Sequence, residues 1–141
     1  MDTIQNNPGN YIAVGENIHT TRVLLRKGKR IEEAEGQEVI LYEAADGASR
    51  RLPIPDSVKS TQDYDEGRVK HVKIALAAAM GGVAEEAASG LAYLRALALH
   101  QEQAGATYLD INVDEFSLKP SEQKSAMEWL VGTVQAMSNL P

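Results

Sequence analysis

The chain has no cysteine, so it can form no disulfide, no thiolate nucleophile and no thiolate-bound zinc site. It also lacks any apolar run approaching the roughly 18 residues that a membrane-crossing helix needs. Basic charge is scarce: 14 lysines and arginines stand against 20 acidic residues, for a net charge of -6 and a pI near 5.0. Such a chain has no broad positive field with which to displace counterions from nucleic acid. Its one basic cluster, Arg26-Lys27-Gly28-Lys29-Arg30, leads into Glu32, Glu33 and Glu35 and reads as a solvated surface turn. Met1 to Asn10 is polar and lacks the apolar core of a signal peptide, so a cytoplasmic location is expected. What remains is 141 residues, 43% hydrophobic and 24% charged, which suits a soluble globular protein of one domain at most.

The densest information lies between Gln103 and Asp114. Leu91, Leu94, Leu97 and Ala98 recur with a helical period, predicting a helix over about Ala84 to Ala104, and Gly105 stands where a left-handed residue closes such a helix. An apolar strand follows and finishes in polar groups. Asp110 and Asn112 are two residues apart, so their side chains leave one face of that strand, and Asp114 extends the series past its end. Upstream, Tyr11 to Val14 reads as a first core strand stopping at Gly15, with Glu16, Asn17, His19, Thr20, Thr21 and Arg22 as the polar cluster at its tip.

Val23 to Asp65 breaks this pattern and reads as an inserted subdomain or lid. Val39-Ile40-Leu41-Tyr42 and Arg50-Arg51-Leu52 flank Ala45-Asp46-Gly47, a hairpin signal, and Pro53 and Pro55 end the second arm. From Glu66 the positions Val69, Val72, Lys73, Leu76 and Met80 predict a helix that Gly81-Gly82 breaks. Pro120, Ser121 and Glu122 start a last helix, with Ala126, Trp129, Leu130, Thr133, Val134 and Met137 on one face, ending near Ser138-Asn139. Strand, insertion, helices, strand and helix make an α/β crossover with a parallel sheet. Two parallel strands do not make a stable sheet alone, so the order reads as the front of a larger fold.

Several segments together carry a family resemblance: Val14-Gly15-Glu16-Asn17-Ile18-His19, Gln103-Ala104-Gly105-Ala106, Leu109-Asp110-Ile111-Asn112-Val113, Ser125-Ala126-Met127-Glu128-Trp129-Leu130-Val131 and Ser138-Asn139-Leu140-Pro141. In that order they resemble the opening of the pterin-binding TIM barrels. These include dihydropteroate synthase, the folate-binding module of cobalamin-dependent methionine synthase, and methyltetrahydrofolate:corrinoid protein methyltransferases, the last being most similar. The resemblance spans Ile12 to Thr20 and Met80 to Pro141; nothing in it extends to Val23 to Asp65. It implies the N-terminal part of a (β/α)8 barrel, about two βα units, with the site at the carboxyl ends of the strands.

By the same resemblance, Glu16 and Asn17 on the first strand and Asp110 and Asn112 on the second are substrate-binding positions. The implied ligand is methyltetrahydrofolate, and the implied reaction is methyl transfer to cobalamin on a partner corrinoid protein. A carboxylate accepts two hydrogen bonds from the N–H edge of a pterin, and an amide donates and accepts at once. The family's further polar residues lie on later strands without counterparts here, so the resemblance assigns no catalytic residue and implies a piece inactive alone. A complementing polypeptide would finish the barrel. A non-catalytic pterin-binding or self-associating interaction module, or a dihydropteroate synthase-like fragment, are the other classes.

Blander roles stand beside these. Asp110 and Asn112 also suit a loop cap, and Glu16 and Asn17 a turn after Gly15. His19 has no second ligand at suitable spacing, since His71 and His100 fall on helices, so no metal is expected. Tyr108 and Trp129 are expected to pack rather than to stack on a ligand.

Overall fold

The computed structural model describes residues 11–141. Along it run β1 (Val14–His19), β2 (Leu24–Leu25), β3 (Ile31–Ala34), β4 (Gln37–Glu43), β5 (Ser49–Pro53), α1 (Asp56–Lys59) and α2 (Gln62–Asp65). There follow β6 (Arg68–Val69), α3 (His71–Met80), α4 (Ala84–Gln103), β7 (Tyr108–Asn112) and α5 (Pro120–Met137). The result is a mixed α/β fold in which β1 pairs with β7, β2 with β6, and β3, β4 and β5 form a third sheet. No barrel closes among the described residues.

The parallel pair β1/β7 is the frame of the candidate site. Val14 faces Tyr108, Gly15 faces Leu109, Ile18 faces Ile111 and His19 faces Asn112, with a shift of register between Gly15 and Ile18. Glu16 and Asn17 therefore share the stretch opposite Asp110. This corrects the expectation of a strand over Tyr11 to Val14 with a polar tip after Gly15. Pairing with β7 carries the strand on to His19, and the irregularity absorbs a residue so that Ile18 returns to the core. Tyr11 and Ile12, expected in that strand, are instead 70% and 62% exposed. Gly15 lets the Gln101 side chain of α4 lie close against β1, where a Cβ would meet its Oε1 at 2.5 Å and displace it.

Helix α4 matches its expected span. At its end the Gly105 N–H donates to the Glu102 carbonyl and the Ala106 N–H to the Gln101 carbonyl, with Gly105 at φ 92°. This paired closure needs a left-handed residue, which glycine supplies without steric cost. Gly90 lets α4 approach α3 closely, since a Cβ there would lie 2.4 Å from the Ala75 carbonyl oxygen.

Helix α3 starts at His71, not at Glu66 as expected. Gly67 at φ 85° turns the chain out of helical geometry, and Arg68 and Val69 then pair with Leu25 and Leu24. Lys73, expected on the apolar face, is exposed, while His71, Val72, Ile74, Ala75, Leu76 and Ala79 are buried. The Asp46-Gly47 hairpin forms as expected between β4 and β5, with the Asp46 carboxylate accepting from the Ala48 N–H at 3.0 Å. A second hairpin, unforeseen, joins β3 to β4 through Glu35 and Gly36, both at positive φ.

Ile40, Tyr42 and Leu52 of the β3–β4–β5 sheet, and Ile54 just after it, enter the same hydrophobic cluster as Ile18, Val72, Leu76, Leu94 and Leu130. Each such buried aliphatic side chain contributes about 1.5–3 kcal/mol. Helix α5 buries Ala126, Leu130 and Val134, with Trp129 and Met137 packed beside them, as its periodicity predicts. Beyond it the Glu102 carboxylate accepts from the Ser138 hydroxyl and the Asn139 N–H, and the Leu109 N–H donates to the Pro141 carbonyl at 2.8 Å. The backbone after α5 thus returns to β7. No described helix is long and apolar enough to cross a membrane.

Candidate functional site

Alternation along the parallel pair sorts its side chains. Ile18, Leu109, Ile111 and Val113 belong to the core cluster or pack against it. Val14, Glu16, His19, Tyr108, Asp110 and Asn112 take the other face, where Val14 is 51% and Tyr108 44% exposed. Tyr108, expected to pack, is therefore nearly half uncovered.

On that face His19 and Asp110 meet. The His19 Nε2 lies 3.0 Å from the Asp110 backbone carbonyl, which can only accept, and 3.3 Å from the carboxylate Oδ2. Nε2 therefore carries the proton, and one N–H steadies both oxygens of Asp110. The Asp110 side chain remains 55% exposed, with lone pairs free for a ligand. Asn112 is engaged locally: its amide donates to the Asp114 carboxylate and accepts from the Asp114 N–H, both at 2.9 Å. This closed Asx arrangement fixes the amide and leaves it one further donor and one lone pair. Behind it, buried Thr20 accepts from the Glu115 N–H at 3.1 Å, and Glu115 pairs with Lys70.

Of the four residues singled out, Asp110 and Asn112 stand together, and Glu16 shares their face. The Glu16 carboxylate is 3.7 Å from Arg22, whose Nε donates to the Glu16 carbonyl. Asn17 is not brought into this group. Its amide donates to the Leu97 carbonyl of α4 at 2.9 Å, while its Oδ1 is buried without a partner. Both Glu16 and Asn17 sit within β1 rather than past its end.

The most perturbed chemistry lies elsewhere, at the seam between the β3–β4–β5 sheet and the helices. The Tyr93 hydroxyl accepts from Arg30 Nη2 at 3.0 Å and lies 2.6 Å from His71 Nδ1. Tyr93 is fully buried and His71 6% exposed. Burial first, then the positive charges of Arg30 and Arg22, lowers the His71 pKa to about 4. Burial likewise raises Tyr93 to about 12. At neutral pH the phenol thus keeps its proton and the imidazole is uncharged, so the Tyr93 hydroxyl accepts from Arg30 and donates to His71 Nδ1. A cavity of about 210 Å³ adjoins this chain, lined by Arg30, Tyr42, Glu43, Tyr93, Leu97 and His100 among others.

Sequence reasoning missed this seam because it placed Arg30 in a solvated turn. Lys27 and Lys29 are exposed as expected, but Arg30 folds back, donating also to the Leu41 carbonyl at 3.1 Å. One available signal was Tyr93, a hydroxyl-bearing side chain in the apolar stripe of Gly90, Leu94 and Leu97. Among the described residues no three His, Asp or Glu side chains gather in a metal-binding group. No protein family, curated protein or solved structure matches the chain.

Proposed function

We propose that the β1/β7 pair is the opening of a pterin-binding barrel and that Asp110 receives the amino-pyrimidinone edge of methyltetrahydrofolate. The observation that carries this reading is the exposed Asp110 carboxylate. It stands near the carboxyl end of β7, on the face the helices leave bare, steadied by His19 and followed by Asn112. A carboxylate so held offers two acceptor oxygens to adjacent pterin N–H groups. The prefixed amide of Asn112 and the Glu16 carboxylate add specificity at the rim. Asn17, turned toward Leu97, supports α4 from behind.

The return of the backbone to Leu109 after α5 favours the same reading, since successive parallel strands are laid side by side by such crossovers. Methyl transfer to cobalamin on a corrinoid protein needs activation of the folate N5 by a proton donor. In this proposal that donor belongs to strands of the completed barrel, and the described residues bind without turnover. Calorimetry with methyltetrahydrofolate tests the idea. The parent chain should release heat that an Asp110→Ala, Asn112→Ala variant does not, and a parent chain without heat ends the proposal.

The bare face favours a second reading, an interaction module. Exposed Val14 and Tyr108 beside an open strand edge invite coverage by a second copy or a complementing polypeptide. A monomer in sedimentation at all accessible concentrations would rule out self-association.

A further inference from the structure

We infer that the cavity at the seam is a binding site for a small monocarboxylate with an apolar or aromatic body, held by Arg30. Charge balance singles out this arginine. Arg22, Arg26, Arg50, Arg51 and Arg68 each pair with a carboxylate. Arg30 and Arg95 are the arginines that do not, among the described residues, and of these Arg95 is exposed whereas Arg30 is half-buried. Arg30 spends two N–H groups on neutral oxygens, those of Leu41 and Tyr93. A guanidinium has five, so three remain, enough for a bidentate grip on an oxyanion. A partly desolvated cation without a counter-ion is costly to maintain, and an anion beside it relieves that cost.

The guanidinium is also preorganised. Tyr93 is locked between Arg30 and His71, and its ring meets Tyr42 edge to face with centroids 4.8 Å apart. Little ordering remains to be done on binding. The other walls select the rest of the ligand. Tyr42, Tyr93, Ala96 and Leu97 present a largely apolar surface around a cavity of about 210 Å³. A benzoate-sized molecule matches that space. Glu43 lines the same cavity with no partner among the described residues, and its carboxylate disfavours a dianion such as phosphate. The site joins residues of β4 and the loop before β3 to residues of α4, so its ligand would bridge sheet and helix.

Benzoate is the probe, with benzamide as its neutral isostere and inorganic phosphate as the dianion. Titration followed by tyrosine fluorescence and thermal stabilisation of the unaltered chain should show saturable binding of benzoate at millimolar concentration. Benzamide and phosphate should bind at least about tenfold more weakly, the ratio expected for a charge-assisted hydrogen-bonded pair. Arg30→Gln should weaken benzoate by a similar factor, and Glu43→Gln should tighten it. Equal binding of benzoate and benzamide would overturn the proposal, as would no benzoate binding at all, the result expected if Glu43 swings onto Arg30. Because the ligand comparison uses the unaltered chain, it decides the matter even if Arg30→Gln fails to fold. Methyltetrahydrofolate heat unaffected by benzoate would keep this site separate from that on β7.

Discussion

Two histidines divide the molecule. His19, on β1, shares one N–H between the carbonyl and the carboxylate of Asp110, whose side chain is more than half exposed. His71, at the start of α3, gives its Nδ1 to a fully buried phenol held by an arginine. The first arrangement leaves a carboxylate open to a ligand, and water screens its charge. The second withdraws Tyr93 and His71 from water beside a half-buried Arg30 and makes each depend on the others. Residues of similar type thus yield a receptive surface in one place and a structural linchpin in the other. What separates them is the depth of burial.

Titrating His71 should expose that contrast most strongly. The folded chain resists protonating it down to about pH 4, whereas the unfolded chain takes the proton near 6.5. Between those values the unfolded state binds more protons, so stability rises with pH and is lost as pH falls, by up to about 3 kcal/mol. Urea unfolding at neutral pH and near pH 4 should show a larger loss for the parent chain than for His71→Gln. Equal losses would mean that the imidazole is already in water. Tyr93→Phe comes next, at about 2 kcal/mol by chemical denaturation, because it leaves His71 and Arg30 without their shared partner. A cost near zero would break the linchpin. The smallest stability effect belongs to Asp110→Ala with Asn112→Ala, under about 1 kcal/mol, since solvated pairs contribute little. That same change should remove the methyltetrahydrofolate heat, and a large loss of stability instead would recast Asp110 as a structural residue.

How much of this was readable in advance varied by element. Helix α4 and its Gly105 closure, the Asp46-Gly47 hairpin, the break at Gly81-Gly82 and the start of α5 at Pro120 all follow from short-range rules. The pairing of Asp110 and Asn112 on one strand face followed from a period of two. The extent of β1 did not, because the ladder that carries it through Glu16 and Asn17 is supplied by residues some ninety positions later. Asn17 illustrates the consequence: its type suggested a ligand-binding amide, yet the irregular register turns it to α4. The start of α3 was misjudged for a related reason, since a β2–β6 contact claims Arg68 and Val69.

By itself, then, the sequence determined the α/β order, the limits of α4 and α5 and the polar face of β7, all of which depend on neighbours within a turn or two of the chain. Only the tertiary structure decided which polar residues meet water and which meet each other. Arg30, His71 and Tyr93 are far apart along the chain, and a basic cluster or a lone tyrosine carries no mark of its eventual partner. The perturbation of His71 and Tyr93 arises first from desolvation, a property of the packed whole, and desolvation appears only when sheet and helices close over them.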